Sequence, residues 1–127
     1  MSAQKQVVRS DKAPIPKVPI SQAIKAAGMV YCSGFVPTDP ATGKLVEGDI
    51  EVQTARVLEN LKTVLEAAGS SLQKTVKTTV FLADRKDFAG MNAVYARYFS
   101  TDPPARSTVE ARLMIDAKVE IELIALA

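Results

Sequence analysis

Two segments with helical spacing of apolar residues, separated by a segment with strand spacing, constrain the fold of this chain most strongly. In the first helical segment, which begins after Asp49, apolar side chains recur every three or four residues, at Ala55, Leu58, Leu61, Leu65 and Ala68. Gly69 stands where a left-handed C-terminal cap belongs. A second stripe of this kind runs from about residue 85 to 99, at Phe88, Met91, Val94 or Tyr95, and Tyr98, and residues 101–104 end it.

Alternation with a period of two predicts strands around these helices. GMVYCSG is a short apolar run that predicts a strand, and in KTVKTTVFLAD the side chains of Val76, Thr78, Val80 and Leu82 face away from those of Lys77, Thr79 and Phe81. Two more strands are predicted in the last quarter, in ARSTVEARL and KVEIELIAL. The order predicts an α+β fold, a mixed β-sheet with both helices packed on one face, and the chain length fits one domain spanning 1–127.

The sheet face that neither helix covers is predicted to be half polar and half apolar. Its predicted members are Lys77, Thr79, Arg106, Thr108, Glu110 and Glu120, together with Phe81 and Ile124. Such a face is either solvated or buried against other subunits, and the residues alone leave both interpretations open.

The absence of histidine excludes several kinds of site. It removes Ser-His-Asp and Cys-His nucleophiles and the common zinc motifs, so we expect no metal site. The formal charge of +2 makes nucleic acid an improbable partner, and no apolar run is long enough for a membrane span. With a single cysteine and no recognisable signal, we expect a cytoplasmic protein, and a mitochondrial location stays open.

Arg106 is the first candidate for binding chemistry. It follows Pro103, Pro104 and Ala105, whose rigid backbone would fix a planar guanidinium suited to a carboxylate. The alternative is a surface arginine or an ion pair with Glu110 or Glu120. Glu120 is the candidate general base, although its predicted face does not by itself single it out from the other nearby acids.

The terminal stretch PPARSTVEARLMIDAKVEIELIALA resembles the signature of the RidA family, also called the YjgF family. The resemblance continues through CSGFVPTDPATGKL, LEAAGSSL, VKTTVFLAD and DFAGMNAVY, and it covers residues 13–127. It implies a chorismate-mutase-like homotrimer with sheets facing inward and sites between subunits. The implied enzyme is a 2-iminobutanoate/2-iminopropanoate deaminase, a hydrolase that converts imino acids into keto acids and ammonium and so protects pyridoxal-phosphate enzymes. The implied reaction requires no metal and no organic cofactor.

The resemblance also implies roles for particular residues. Arg106 matches the arginine that binds the substrate carboxylate, and Glu120 matches the acid that positions or activates water. Ser33 and Gly34 match a loop lining the cleft, and Asn92 matches an asparagine near the start of the second helix. From the residues alone, Ser33 could equally be an ordinary strand-end hydroxyl and Asn92 an ordinary exposed helix residue.

Two substrate-binding positions depart from the family pattern. Ile20 stands where many members carry tyrosine, and Thr108 stands where they often carry cysteine. One residue fewer separates Arg106 from Glu120 than in the bacterial members of the family. We assign this shortening to the turn at 114–117. An apolar pocket mouth at Ile20 predicts tolerance for imines with apolar side chains.

Two other functions remain as alternatives. Family members have been described as endoribonucleases and translation inhibitors, an activity that the absence of histidine and the modest charge disfavour here. The other alternative is a chaperone-like trimer or a non-catalytic binder of small carboxylates, which would share the Arg106 pocket.

Overall fold

The computed structural model describes residues 4–127, which form one six-stranded mixed sheet with two helices on one face. The strands, in chain order, are β1 (Gln6–Val8), β2 (Ala23–Ala26), β3 (Met29–Phe35), β4 (Thr75–Leu82), β5 (Ala105–Glu110) and β6 (Val119–Leu126). The helices are α1 (Ile50–Ala67) and α2 (Phe88–Tyr98). The predicted α+β architecture is therefore confirmed. Within residues 4–127, neither helix is long and apolar enough to cross a bilayer.

The sequence predicts that α1 begins after Asp49 and ends at a left-handed Gly69, and the structure confirms both positions. The Asp49 side chain accepts a hydrogen bond from the backbone N–H of Val52 at 3.0 Å, and such an N-cap contributes about 1 kcal/mol. Gly69 follows the helix with a φ of +79°, a left-handed conformation that glycine adopts without strain. Leu58, Leu61 and Leu65 are fully buried, each contributing roughly 1.5–3 kcal/mol of hydrophobic stabilisation.

The strand order in the sheet is β1-β2-β3-β6-β4-β5. Strand β6 lies in the middle, antiparallel to both β3 and β4, and β4 pairs in parallel with the edge strand β5. A parallel pair needs a long crossover, and α2 supplies it. The core lies between the helices and the inward face of the sheet, where Val80, Ile121 and Leu123 are buried.

Some predictions for the first strands and the second helix need correction. The short strands β1 and β2 extend the sheet beyond β3, and neither was predicted from the sequence. Val76 was wrongly placed on the inward face; it is 39% exposed because a register shift between Thr75 and Lys77 turns Thr75 inward instead. The second helix begins at Phe88, after a 3₁₀ turn at Arg85–Asp87.

The prediction for β5 was wrong in both extent and orientation. The strand ends at Glu110 rather than continuing to residue 113. Arg106 pairs with Thr78, which is fully buried on the helix side of β4, and paired residues project to the same face. The side chains of Arg106 and Thr108 therefore lie on the helix side of the sheet, not on the uncovered face.

The uncovered face keeps its mixed character with fewer members. Glu120 pairs with Phe81, next to the inward-facing Val80, so both Glu120 and Phe81 project away from the helices. Tyr31 pairs with Ile124 on the same face and is 44% exposed. Since Glu110 pairs with the inward-facing Leu82, it too was wrongly assigned to this face.

Candidate functional site

The guanidinium of Arg106 is held against α2 by two aromatic rings and a thioether. Its Cζ lies 4.7 Å from the ring centroid of Tyr95 and 5.7 Å from that of Phe88. Nη1 lies 4.0 Å from the sulfur of Met91. These three residues stand at i, i+3 and i+7 of α2, so they share the face that packs over the edge of the sheet.

No carboxylate neutralises Arg106 within residues 4–127. The ion pair with Glu110 that the sequence left open does not form, because Glu110 accepts a hydrogen bond from the backbone N–H of Arg85 at 2.8 Å. An ion pair with Glu120 is blocked because the sheet separates the two side chains. The guanidinium is partly buried with much of its donor capacity unused, which suits it to bind an anion.

The Tyr95 side chain that contacts Arg106 is itself held in place by a hydrogen bond. Its hydroxyl lies 2.7 Å from the buried Oγ1 of Thr78, the residue that pairs with Arg106 across the two strands. Burial raises the pKa of Tyr95, while the hydrogen bond to Thr78, the nearby charge of Arg106 and a hydrogen-bonding contact with Arg106 act in the opposite direction. The ring thus connects α2 to β4 directly beneath the guanidinium.

Thr108 and Asn92 lie on the same side of the sheet as Arg106. The backbone N–H of Ala111 donates a hydrogen bond to the carbonyl of Leu82. Because the N–H groups along a strand point alternately to its two sides, the N–H of Thr108 points away from β4, toward the unpaired edge of the sheet. Thr108 and Phe88 line a surface cavity of about 440 Å³. Asn92 is half-buried one turn after Phe88, on the same side of α2. We call Arg106, Thr108 and Asn92 the arginine half-site.

Glu120 belongs to a second group of residues on the uncovered face. Strand β3 has a register shift between Cys32 and Phe35, and Gly34 lies within this irregularity. A Cβ on Gly34 would overlap the Glu120 carboxylate, so any larger residue at this position would displace that carboxylate. Burial raises the pKa of Glu120, and the negative charge of Glu122 raises it further.

Ser33 and Ile20 complete this second group. The Ser33 hydroxyl donates to the backbone carbonyl of Ser21 at 2.7 Å, which fixes the loop that carries Ile20 onto β3. Ser33, Gly34 and Ile20 line one cavity of about 590 Å³. Apolar side chains that the sequence analysis did not select also line it: Ile15, Val36 and Ile115. We call Glu120, Gly34, Ser33 and Ile20 the glutamate half-site.

The structure therefore brings the predicted site residues together in two groups, on opposite sides of one sheet. A carboxylate bound at Arg106 and a water held by Glu120 of the same chain would be separated by the sheet itself. Tyr95, Phe88 and Met91 were not predicted as partners of Arg106, because their helical spacing indicates only a stripe facing the core. Within residues 4–127, no three side chains of His, Cys, Asp or Glu form a group suited to a metal ion.

Comparisons with known proteins agree with this arrangement of elements. The family model described as endoribonuclease L-PSP matches residues 10–127. A RutC family protein of Pyrococcus horikoshii is 52% identical over 95% of this chain and 97% of its own length. The chloroplastic reactive intermediate deaminase A of Arabidopsis thaliana is 47% identical, covering 98% of this chain and 67% of its own length. A solved structure from Yersinia pestis, described as a conserved Rid family protein of unknown function, superposes with a TM-score of 0.95 at 47% identity, covering 98% of this chain and all of that one.

Proposed function

Because this chain belongs to the Rid (YjgF, endoribonuclease L-PSP) family, we propose that it is a homotrimeric deaminase that hydrolyses 2-imino acids. The proposed substrates are 2-aminoacrylate and the imines related to it, including 2-iminopropanoate and 2-iminobutanoate. The products are 2-keto acids and ammonium, and removal of the imine would protect pyridoxal-phosphate enzymes. The relative named a reactive intermediate deaminase supports this general activity.

The observation that carries the proposal is the complementarity of the two half-sites. One presents an arginine with no acidic partner, and the other presents a half-buried glutamate with a raised pKa beside an apolar cavity. Imine hydrolysis needs these two elements, a cation for the carboxylate and a base for the water. Since the sheet separates them within one chain, we place each site between the arginine half-site of one subunit and the glutamate half-site of the next.

The reaction requires little from the protein, because an imine carbon is already electrophilic. The Arg106 guanidinium and the outward N–H of Thr108 hold the carboxylate. Glu120 accepts a proton as water attacks the imine carbon, supplying part of a factor of roughly 10²–10⁴ typical of general base catalysis. Starting from the protonated imine, Glu120 returns that proton to the nitrogen of the carbinolamine. As the C–N bond breaks, the carbinolamine hydroxyl gives its proton to Glu120 and becomes the carbonyl of the keto acid. The departing ammonia takes up this proton and leaves as ammonium.

The uncovered sheet face supports the proposed trimer. Tyr31 and Val109 are 44% and 46% exposed on this face, beside the partly exposed Phe81 and Ile124. Apolar side chains grouped on an exposed face favour burial against another subunit. Sedimentation equilibrium at micromolar concentration should give three times the chain mass of 13.6 kDa, and a stable monomer would contradict both the trimer and the shared site.

The substrate's side chain has a place in the cavity beside Glu120. Ile15, Ile20 and Ile115 line this cavity and are 40%, 52% and 42% exposed. Ile20 carries no hydroxyl, so this end of the site favours apolar side chains over polar ones. We therefore propose that the protein accepts imines with side chains longer than that of 2-iminopropanoate.

A coupled assay tests the activity. A pyridoxal-phosphate dehydratase would generate the imine in situ from serine or threonine, and keto-acid formation would be followed with and without this protein. Faster keto-acid release with the wild-type chain than with the Arg106→Ala variant is the expected result. Binding of keto acids without any acceleration would identify a non-catalytic carboxylate-binding or chaperone-like trimer instead.

Mixed trimers test where the site lies. Chains carrying Arg106→Ala and chains carrying Glu120→Gln should each be inactive alone. If every site takes its arginine and its glutamate from different subunits, random mixing leaves about a quarter of the sites with both residues intact, because the subunits form a closed ring. If each site lay within one chain, every site in the mixture would carry one of the two substitutions and the mixture would stay inactive. Continued inactivity after mixing and refolding would therefore contradict the shared site.

RNA cleavage is the second candidate function, because the matching family model is described as an endoribonuclease. The Arg106 cation could contact a phosphate, although no histidine is present to act as a general base. The affinity for a single-stranded RNA should be measured between about 50 and 200 mM salt, where phosphate contacts make binding strongly salt-dependent. A steep slope together with cleavage that Arg106→Ala abolishes would favour this function over imine hydrolysis.

A further inference from the structure

The cation of Arg106 is positioned by aromatic rings rather than by an acid. An arginine that binds a substrate carboxylate cannot also be paired with a carboxylate of its own chain without losing affinity. Its orientation must come from contacts that leave most of its five N–H groups free. The ring of Tyr95, whose centroid lies 4.7 Å from Cζ, makes a contact of this kind.

We propose that Tyr95 is a positioning residue for Arg106, whose aromatic ring sets the plane of the guanidinium before the substrate arrives. This inference rests on the proposed function, because it assumes that Arg106 binds the carboxylate. The ring cannot swing away easily, since its hydroxyl is bonded to Thr78 of β4 at 2.7 Å. Phe88 supplies a second ring at 5.7 Å, and the two faces together confine the guanidinium.

The ring also couples the guanidinium to the strand that delivers it. Thr78 is the residue of β4 that pairs with Arg106 of β5, so the hydroxyl anchor and the arginine backbone lie at the same level of the sheet. Tyr95 therefore holds the guanidinium plane in a fixed orientation relative to the Arg106 backbone. A flexible side chain held in this way needs less ordering when it forms two parallel hydrogen bonds with a ligand.

Phe99, the residue that directly follows α2, provides a matched control. Its ring centroid lies 4.6 Å from that of Tyr95, and Phe99 is 6% exposed, as Tyr95 is. Its ring is not among those that contact the guanidinium in the part of the chain that the structure describes. Truncation of Phe99 thus disturbs the same region of the core while leaving the ring beneath Arg106 in place.

The test is binding of pyruvate, a keto-acid product, to the assembled protein by calorimetry, together with steady-state kinetics. Tyr95→Leu should weaken pyruvate binding and raise KM by roughly 3- to 30-fold, with a smaller effect on kcat, because a cation–π contact orients the carboxylate site in the ground state and the transition state alike. Tyr95→Phe keeps the ring and should restore most of the affinity. Phe99→Leu should lower thermal stability and leave pyruvate affinity within about twofold.

Several outcomes would overturn the inference. Unchanged affinity in Tyr95→Leu would do so, and so would an equal loss in Phe99→Leu, which would indicate general damage to the core. If Tyr95→Leu does not fold, Phe88→Leu gives the same test at a residue that is 46% exposed, and unchanged affinity there would again count against ring positioning. Failure of Arg106→Ala to weaken pyruvate binding would instead refute the proposed function, since it would show that Arg106 does not bind the carboxylate.

Discussion

Replacing Arg106 with lysine separates the geometry of the guanidinium from its charge. Lysine keeps the positive charge but cannot donate two parallel hydrogen bonds to a carboxylate, and it loses the planar contact with the rings of Tyr95 and Phe88. Each charge-assisted hydrogen bond contributes about 1.5–3 kcal/mol. Because lysine can still make one contact with the carboxylate, only part of this energy is lost. The loss in kcat/KM should therefore be roughly tenfold to a hundredfold.

The assay for this prediction is keto-acid formation from an imine generated in situ, measured with the wild-type chain and with Arg106→Lys and Arg106→Ala. Arg106→Ala should abolish activity. It should also lower the free energy of unfolding by about 1 kcal/mol, because the side chain packs against Tyr95 and Met91 rather than projecting into solvent. Each variant's mass is checked by sedimentation, so that loss of activity is not confused with loss of assembly.

Two results would refute this reasoning. Near-normal turnover in Arg106→Lys would show that charge alone binds the carboxylate and that the aromatic contacts add nothing. Near-normal turnover in Arg106→Ala, with its assembly confirmed, would remove Arg106 from the site.

Three further predictions concern the glutamate half-site. Ile20→Tyr should shift the ratio of kcat/KM values toward 2-iminopropanoate and away from imines with longer apolar side chains; an unchanged ratio would place Ile20 outside the pocket. The acid limb of the pH–rate profile should lie above the ordinary glutamate pKa, because burial raises the pKa of Glu120, and Glu122→Gln should move that limb to lower pH by removing a neighbouring negative charge. Gly34→Ala should reduce kcat by up to about a hundredfold, because the added Cβ displaces the Glu120 carboxylate, and an unchanged kcat would show that the position of this carboxylate does not limit the reaction.

Local periodicity was enough to predict most of the elements but not the orientation of β5. The helices and the inward faces of β4 and β6 have strongly apolar sides, so their patterns specify which residues are buried. Strand β5 lies at the edge of the sheet and buries neither face completely, and in ARSTVE the polar and apolar residues do not alternate clearly. Its face is determined by the parallel register with β4, a long-range contact that no local pattern reveals.

The contacts around the two candidate catalytic residues were equally beyond local prediction. The spacing of Met91 and Tyr95 indicated a helix face toward the core, and the structure confirms that both are buried. Their contact with Arg106 depends on α2 packing over Thr78 of β4, next to the edge strand β5, which the sequence does not specify. Likewise, the closeness of Gly34 to Glu120 arises from a register shift between β3 and β6.

The register of β5 determines whether the two candidate catalytic side chains can neutralise each other. A shift of one residue would turn Arg106 to the uncovered face, the face that carries Glu120. An intrachain ion pair could then form, and the carboxylate of the substrate would have to compete with the carboxylate of the protein. In the observed register, the sheet keeps the two charges apart within one chain, so the arginine stays available for an anionic ligand and Glu120 keeps the raised pKa that burial gives it. If two subunits bring these groups together, the bound imine lies between them and supplies the anion that Arg106 lacks.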